Sequence, residues 1–138
     1  MNMRSLFLAL AFALSPAMAE AAADDETPAI IIDGGHWQAD SREGTYRIQI
    51  ESVGFEHVSC RVWIEWLTTA VPGAPSQLLA RVPLAEASNG MWACKQGAVD
   101  TPLQDNVLTI PAVHTYSNAP RVFKAALGNP GEYEVLTP

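Results

Sequence analysis

Val58-Ser59-Cys60-Arg61-Val62-Trp63-Ile64-Glu65-Trp66 decides the fold class. Val58, Cys60, Val62, Ile64 and Trp66 fall on one face of an extended chain. His57, Ser59, Arg61, Trp63 and Glu65 fall on the other, which is the two-residue period of a strand with one face in a core. A helical period of 3.6 would scatter the apolar set around the axis.

The same period recurs outward from this stretch. On the N-terminal side, Tyr46, Ile48 and Ile50 alternate with Thr45, Arg47, Gln49 and Glu51 until Gly54 interrupts. Ala29 to Asp33 is a β-branched run that is expected to stop at the turn signal Asp33-Gly34-Gly35. On the C-terminal side, Ala70 to Ser76 carries two prolines and a glycine and reads as a loop. Leu78, Ala80, Val82 and Leu84 resume the alternation, and Ala85-Glu86-Ala87 fits a single turn. Trp92 and Cys94 share one side of the next strand, within Met91 to Gln96. Gly97 to Asn106 reads as turn-rich. Val107 to His114 is a strand interrupted by Pro111, which points to a sheet edge or a bulge. Arg121 to Leu127 and Glu132 to Leu136 flank the hairpin signal Gly128-Asn129-Pro130-Gly131.

Seven or eight short strands, each with one apolar face, predict an all-β domain: a two-sheet antiparallel sandwich of immunoglobulin-like architecture. The sequence fingerprint of a true immunoglobulin domain is absent, because Trp63 and Trp66 share a strand with Cys60 and Cys94 follows too soon. Cys60 and Cys94 are the two cysteines of the chain. They are expected to form one structural disulfide, since their spacing is not the C-x-x-C of a redox pair.

Met1-Asn2-Met3-Arg4, the apolar run Leu6 to Leu14 and the small residues of Ser15-Pro16-Ala17-Met18-Ala19 read as a secretory signal peptide, residues 1–19. Its apolar run is far short of the about 20 residues that span a bilayer core. Residues 20–28 read as a disordered acidic leader and residues 29–138 as the single folded domain. A periplasmic or secreted protein is therefore expected, with no membrane insertion after cleavage. Loss of Arg4 from a chain of charge −7 leaves −8. Such a charge disfavours nucleic acid and anionic lipid and would steer encounter with a cationic protein.

Motifs for catalysis are missing: there is no G-x-S-x-G, H-E-x-x-H, phosphate loop or calcium-loop consensus. A hydrolase would need Ser41, Ser52 or Ser59 beside a histidine, and His57 and Ser59 do share a strand face. Zinc or copper would need His36, His57 and His114 to converge from separate strand ends. Calcium would need Asp100, Asp105 and Asn106, whose spacing matches no known cage. No enzyme activity, metal or cofactor is expected. The candidate binding residues are Trp63, with Phe55, Leu67 and Arg61 beside it on an outward sheet face, and His36-Trp37 on a loop. An aromatic ringed by polar groups suits a protein or glycan contact, and Trp37 could alternatively close one end of the core. The expected function is a non-catalytic binding domain, as an inhibitor of a cationic extracytoplasmic protein such as a lysozyme-like enzyme. A carbohydrate- or cell-wall-binding module is the first alternative, and a small secreted hydrolase or metal-binding protein the second.

Overall fold

The computed structural model describes residues 30–95 and 102–136. The signal peptide, the acidic leader and Asp100 lie outside the described residues. The fold is all-β, with two antiparallel sheets. The first contains β1 (Ile30–Ala39), β2 (Arg42–Val53), β3 (Ser59–Thr68) and β4 (Leu78–Pro83), in the order β1-β2-β3-β4. The second contains β5 (Trp92–Cys94), β7 (Val107–His114), β8 (Pro120–Leu127) and β9 (Tyr133–Leu136) in that order, with β6 (Leu103–Gln104) also paired to β7. The two stacked antiparallel sheets are those expected from the sequence. The first is a meander, the second sets both β5 and β6 against β7, and among the described residues the chain passes between the sheets once, through residues 84–91.

The alternation of β2 and β3 builds one wall of the core. Tyr46 stands opposite Trp66, Ile48 opposite Ile64 and Ile50 opposite Val62, and all six are buried. Leu108, Ile110, Ala112, Phe123, Ala125 and Leu127 form the facing wall. Tyr46 and Trp66 meet edge to face at 5.9 Å. Burying their polar atoms is tolerable because both reach the loop after β8. The Tyr46 hydroxyl donates to Gly128 O (2.9 Å) and lies 3.3 Å from Leu127 O, while Trp66 Nε1 donates to Gly128 O (3.0 Å).

Two further ties join the sheets. Cys60 on β3 and Cys94 on β5 form the expected disulfide, with Cα atoms 5.7 Å apart. Asn106, in the turn before β7, accepts from His36 N (3.0 Å) and donates to His36 O (2.7 Å). Its side-chain amide thus imitates a strand partner for the edge of β1.

Several sequence expectations need correction. Asp33-Gly34-Gly35 is not a turn: β1 continues to Ala39 with a register shift between Gly34 and Trp37. Gly35 has φ +67°, and a Cβ there would lie 2.6 Å from the Tyr46 ring and 2.8 Å from Asn106 Oδ1. The backbone bulges because Tyr46 and Asn106 occupy that space, and only glycine fits. The hairpin turn is Asp40-Ser41 instead. Val58 precedes β3 and is exposed. Leu78 is exposed as well, because β3 and β4 slip register between Trp66 and Leu67. Leu103–Gln104 forms a strand inside the stretch read as turns, of which Gly97 to Thr101 lie outside the described residues. Pro111 sits within a strand flanked on both sides rather than at a sheet edge. It falls at the joint where β6, paired at Val107 and Leu108, gives way to β5, paired from Ala112 to His114.

Two stability outcomes follow from these ties. The disulfide closes a loop of sequence separation 34, so replacing both cysteines by alanine should lower unfolding free energy by about 3–4 kcal/mol in the chain-entropy picture, measured by denaturant titration. Burial pushes the Tyr46 phenol above its ordinary pKa, and burial does the same, more than its other contacts, for Tyr133. The unfolded chain therefore ionises first, so this stabilisation is complete below about pH 10 and is lost as pH rises through the folded values. Urea midpoints should fall across that alkaline window, and Tyr46→Phe should flatten the fall. An unchanged alkaline limb in Tyr46→Phe would contradict the assignment.

Candidate binding surfaces

Trp63 lies at the centre of the outer face of the first sheet, opposite Gln49 on β2 and Pro83 on β4. Neither the second sheet nor β1 covers it. Its ring is nonetheless occupied: the Arg81 guanidinium carbon stands 3.9 Å from the ring centroid, and that of Arg61 stands 6.0 Å away. Arg81 is held there by carboxylates on either side, Nε at 3.6 Å from Glu65 Oε2 and Nη2 at 3.8 Å from Glu51 Oε1. Glu65 is itself buried, and its other oxygen accepts from Gln49 Nε2 at 2.9 Å. Arg47 Nε and Asp33 Oδ1, in register with Glu65 on the same face, form a separate pair at 2.9 Å. Trp63 Nε1 is buried without a hydrogen-bond partner. The face is therefore a cation–π stack framed by charge pairs, with the tryptophan half-buried.

The other candidate residues are scattered. Arg61 does accompany Trp63. Phe55 does not: it lies in a 3₁₀ turn (Phe55–His57) beyond the Val53–Ser59 pair, at the end of the sheet. Leu67, expected beside Trp63, falls at the β3–β4 register shift and is partly buried. His36 lies on β1 rather than on a loop, exposed and 3.2 Å from Glu43 Oε2. Trp37 is 3% exposed, and its Nε1 donates to Thr45 O and Leu67 O, both at 3.1 Å. With its ring and its donor both used, Trp37 is a core lid and leaves the binding set.

The hydroxyl of Ser59 donates to Val53 O at 2.8 Å, so it closes the base of the Phe55 turn instead of facing a histidine. His114 Nδ1 accepts from the backbone of Tyr116 and Ser117, both at 3.3 Å. Among the described residues no three His, Cys, Asp or Glu side chains are placed to share a metal ion. Asp105 and Asn106 form the tight turn before β7, with φ of +52° and +59°.

A second aromatic group was not singled out from the sequence. Trp92 packs edge-on against His114 (5.1 Å) and Phe123 (5.2 Å), and Tyr116 lies 6.0 Å from His114. Arg121 stands over Phe123 at 4.8 Å and Trp92 at 5.7 Å. The signal was available: His114 is in phase with Leu108, Ile110 and Ala112, and Arg121 with Phe123, Ala125 and Leu127.

This group marks one end of the sandwich. β7 runs toward the disulfide and β3 runs away from it, so the β2–β3 turn and the β7–β8 turn project from the same end. That end carries Phe55, 86% exposed, Tyr116, 82% exposed, and Val58, 53% exposed, with Met91 and Ile30 close to the strand ends. Phe55 is presented by an unusual backbone. Gly54, Glu56 and His57 all have positive φ, at 80°, 55° and 53°. For two non-glycine residues this conformation costs on the order of 1–3 kcal/mol each. The bonds His57 N to Gly54 O (3.1 Å) and Ser59 Oγ to Val53 O hold it in place.

Arg81→Ala should uncover the Trp63 ring and leave Glu65 with one fewer partner. Acrylamide quenching of tryptophan emission should rise and stability should fall by about 1–2 kcal/mol. Quenching equal to that of the unaltered protein would mean that Arg81 does not shield the ring.

No known protein family, curated protein or solved structure matches the chain.

Proposed function

We propose that this chain is an exported, non-catalytic domain that binds a cationic protein through the disulfide-proximal end of its sandwich. The observation that carries the reading is the concentration there of Phe55, Tyr116 and Val58, large apolar side chains held in water by turns of fixed geometry. Exposed aromatics on a rigid frame lose little entropy on docking and are the usual anchors of protein contacts. Charge supports the cationic partner. Glu20, Asp24, Asp25 and Glu26 precede Ile30 in the sequence, and Ile30 opens β1 at this same end. An extracytoplasmic location agrees with the intramolecular disulfide, and no helix among the described residues is long and apolar enough to cross a membrane. A glycan-stacking role for Trp63 has less support, because Arg81 occupies the ring that a sugar would need.

A lysozyme serves as the cationic probe. Its association rate with this protein should fall by about an order of magnitude between ionic strengths of roughly 0.01 and 0.15 M, as the Debye length shrinks from about 30 to about 8 Å. Phe55→Ala and Tyr116→Ala should each weaken binding by about 1 kcal/mol or more. A salt-independent rate, or full affinity in the double variant, would sink the proposal.

A further inference from the structure

The crossover between the sheets carries Asn89-Gly90, and its chemistry is independent of any partner. Both residues are exposed. Asn89 Oδ1 accepts from Met91 N at 3.0 Å, which folds the carboxamide back over the Gly90 backbone and polarises its carbonyl. Gly90 has φ +86°, and a Cβ built on it would meet nothing within 4 Å, so the space beside this residue is open. Among the described residues the Gly90 N–H has no acceptor.

The remaining asparagines of the described residues lack this combination. Asn106 is clamped by His36 at both ends of its amide, and Val107, which follows it, is paired within β7. The nitrogen after Asn118 belongs to Ala119 and donates to Ser117 Oγ at 3.4 Å. Asn129 is followed by Pro130, whose nitrogen carries no proton.

We propose that Asn89–Gly90 is a self-modification site. The Gly90 nitrogen loses its proton and attacks Asn89 Cγ. The new C–N bond closes a five-membered succinimide, and the Cγ–Nδ2 bond breaks to release ammonia, which takes up the proton. Water then opens the ring at either carbonyl, giving aspartate or isoaspartate. No oxidant or reductant is needed, and the product gains one negative charge. The isoaspartyl product also lengthens the main chain between two anchored points. Ser88 Oγ lies 3.0 Å from Val62 N, and Met91 O accepts from Thr115 N at 2.9 Å. Conversion therefore places new charge and slack where the chain passes from one sheet to the other.

The test holds the intact, oxidised protein at mildly alkaline pH and follows it by isoelectric focusing, peptide mass mapping and labelling with an isoaspartyl methyltransferase. The expected result is an acidic shift of one charge. The mass rise and the label should map to the Asn89 peptide before any other asparagine, and Asn89→Gln should lose both. The reduced, unfolded chain gives the rate of the bare dipeptide. The proposal is overturned if Asn89 stays intact in the folded protein over the time in which the unfolded chain converts, or if Asn106 or Asn118 converts first.

Discussion

Gly128 O is the acceptor on which the core depends. The two largest fully buried side chains, Trp66 and Tyr46, each bring a polar atom into the interior, and both atoms end on this carbonyl. Either donor left unpaired would carry a desolvation penalty of about 1–3 kcal/mol. The β8–β9 loop must therefore sit over the β2–β3 pair for the sandwich to close. The loop is shaped for it: Gly128 N donates to Glu132 O and Glu132 N to Asn129 O, which turns the Gly128 carbonyl inward. At the opposite end the sheets are held by a covalent bond, so the two ends of the sandwich use different chemistry for the same purpose.

Within β2 and β3, where a residue faces was legible in the sequence; what it meets was not. Tyr46, Ile48, Ile50, Cys60, Val62, Ile64 and Trp66 occupy the core as their alternation requires, because one apolar face per strand leaves no other arrangement. The disulfide was legible by elimination. The bulge at Gly35 was not, since it is imposed by Tyr46 and by Asn106, distant in sequence. Nor was the β3–β4 slip that carries Leu78 to the surface, because a change of register leaves the period on each strand intact. β6 has two residues and so has no period to read.

The binding residues show the same division. Trp63 is on the outward face, as its phase within β3 demands, but its neighbour on β4 decides its state. Arg81 comes from a strand whose register sequence alone does not fix, and it turns an open aromatic into a covered one. Phe55 reads as outward in any arrangement, yet its place at the sheet end depends on the positive φ angles of Gly54 before it and of Glu56 and His57 after it. His114, Trp92 and Arg121 are inward in phase, and at strand ends phase no longer implies burial.

The single passage between the sheets has a consequence for how the molecule can come apart. Strands β1 to β4 form one sheet and strands β5 to β9 the other, so the strands of each layer follow one another along the polypeptide. A protease cutting in the exposed stretch at Asn89–Gly90 would separate the layers in sequence without disturbing a strand ladder. Cys60 and Cys94 lie on opposite sides of that cut. The nicked molecule stays one covalent particle in an oxidising compartment and becomes two fragments in a reducing one.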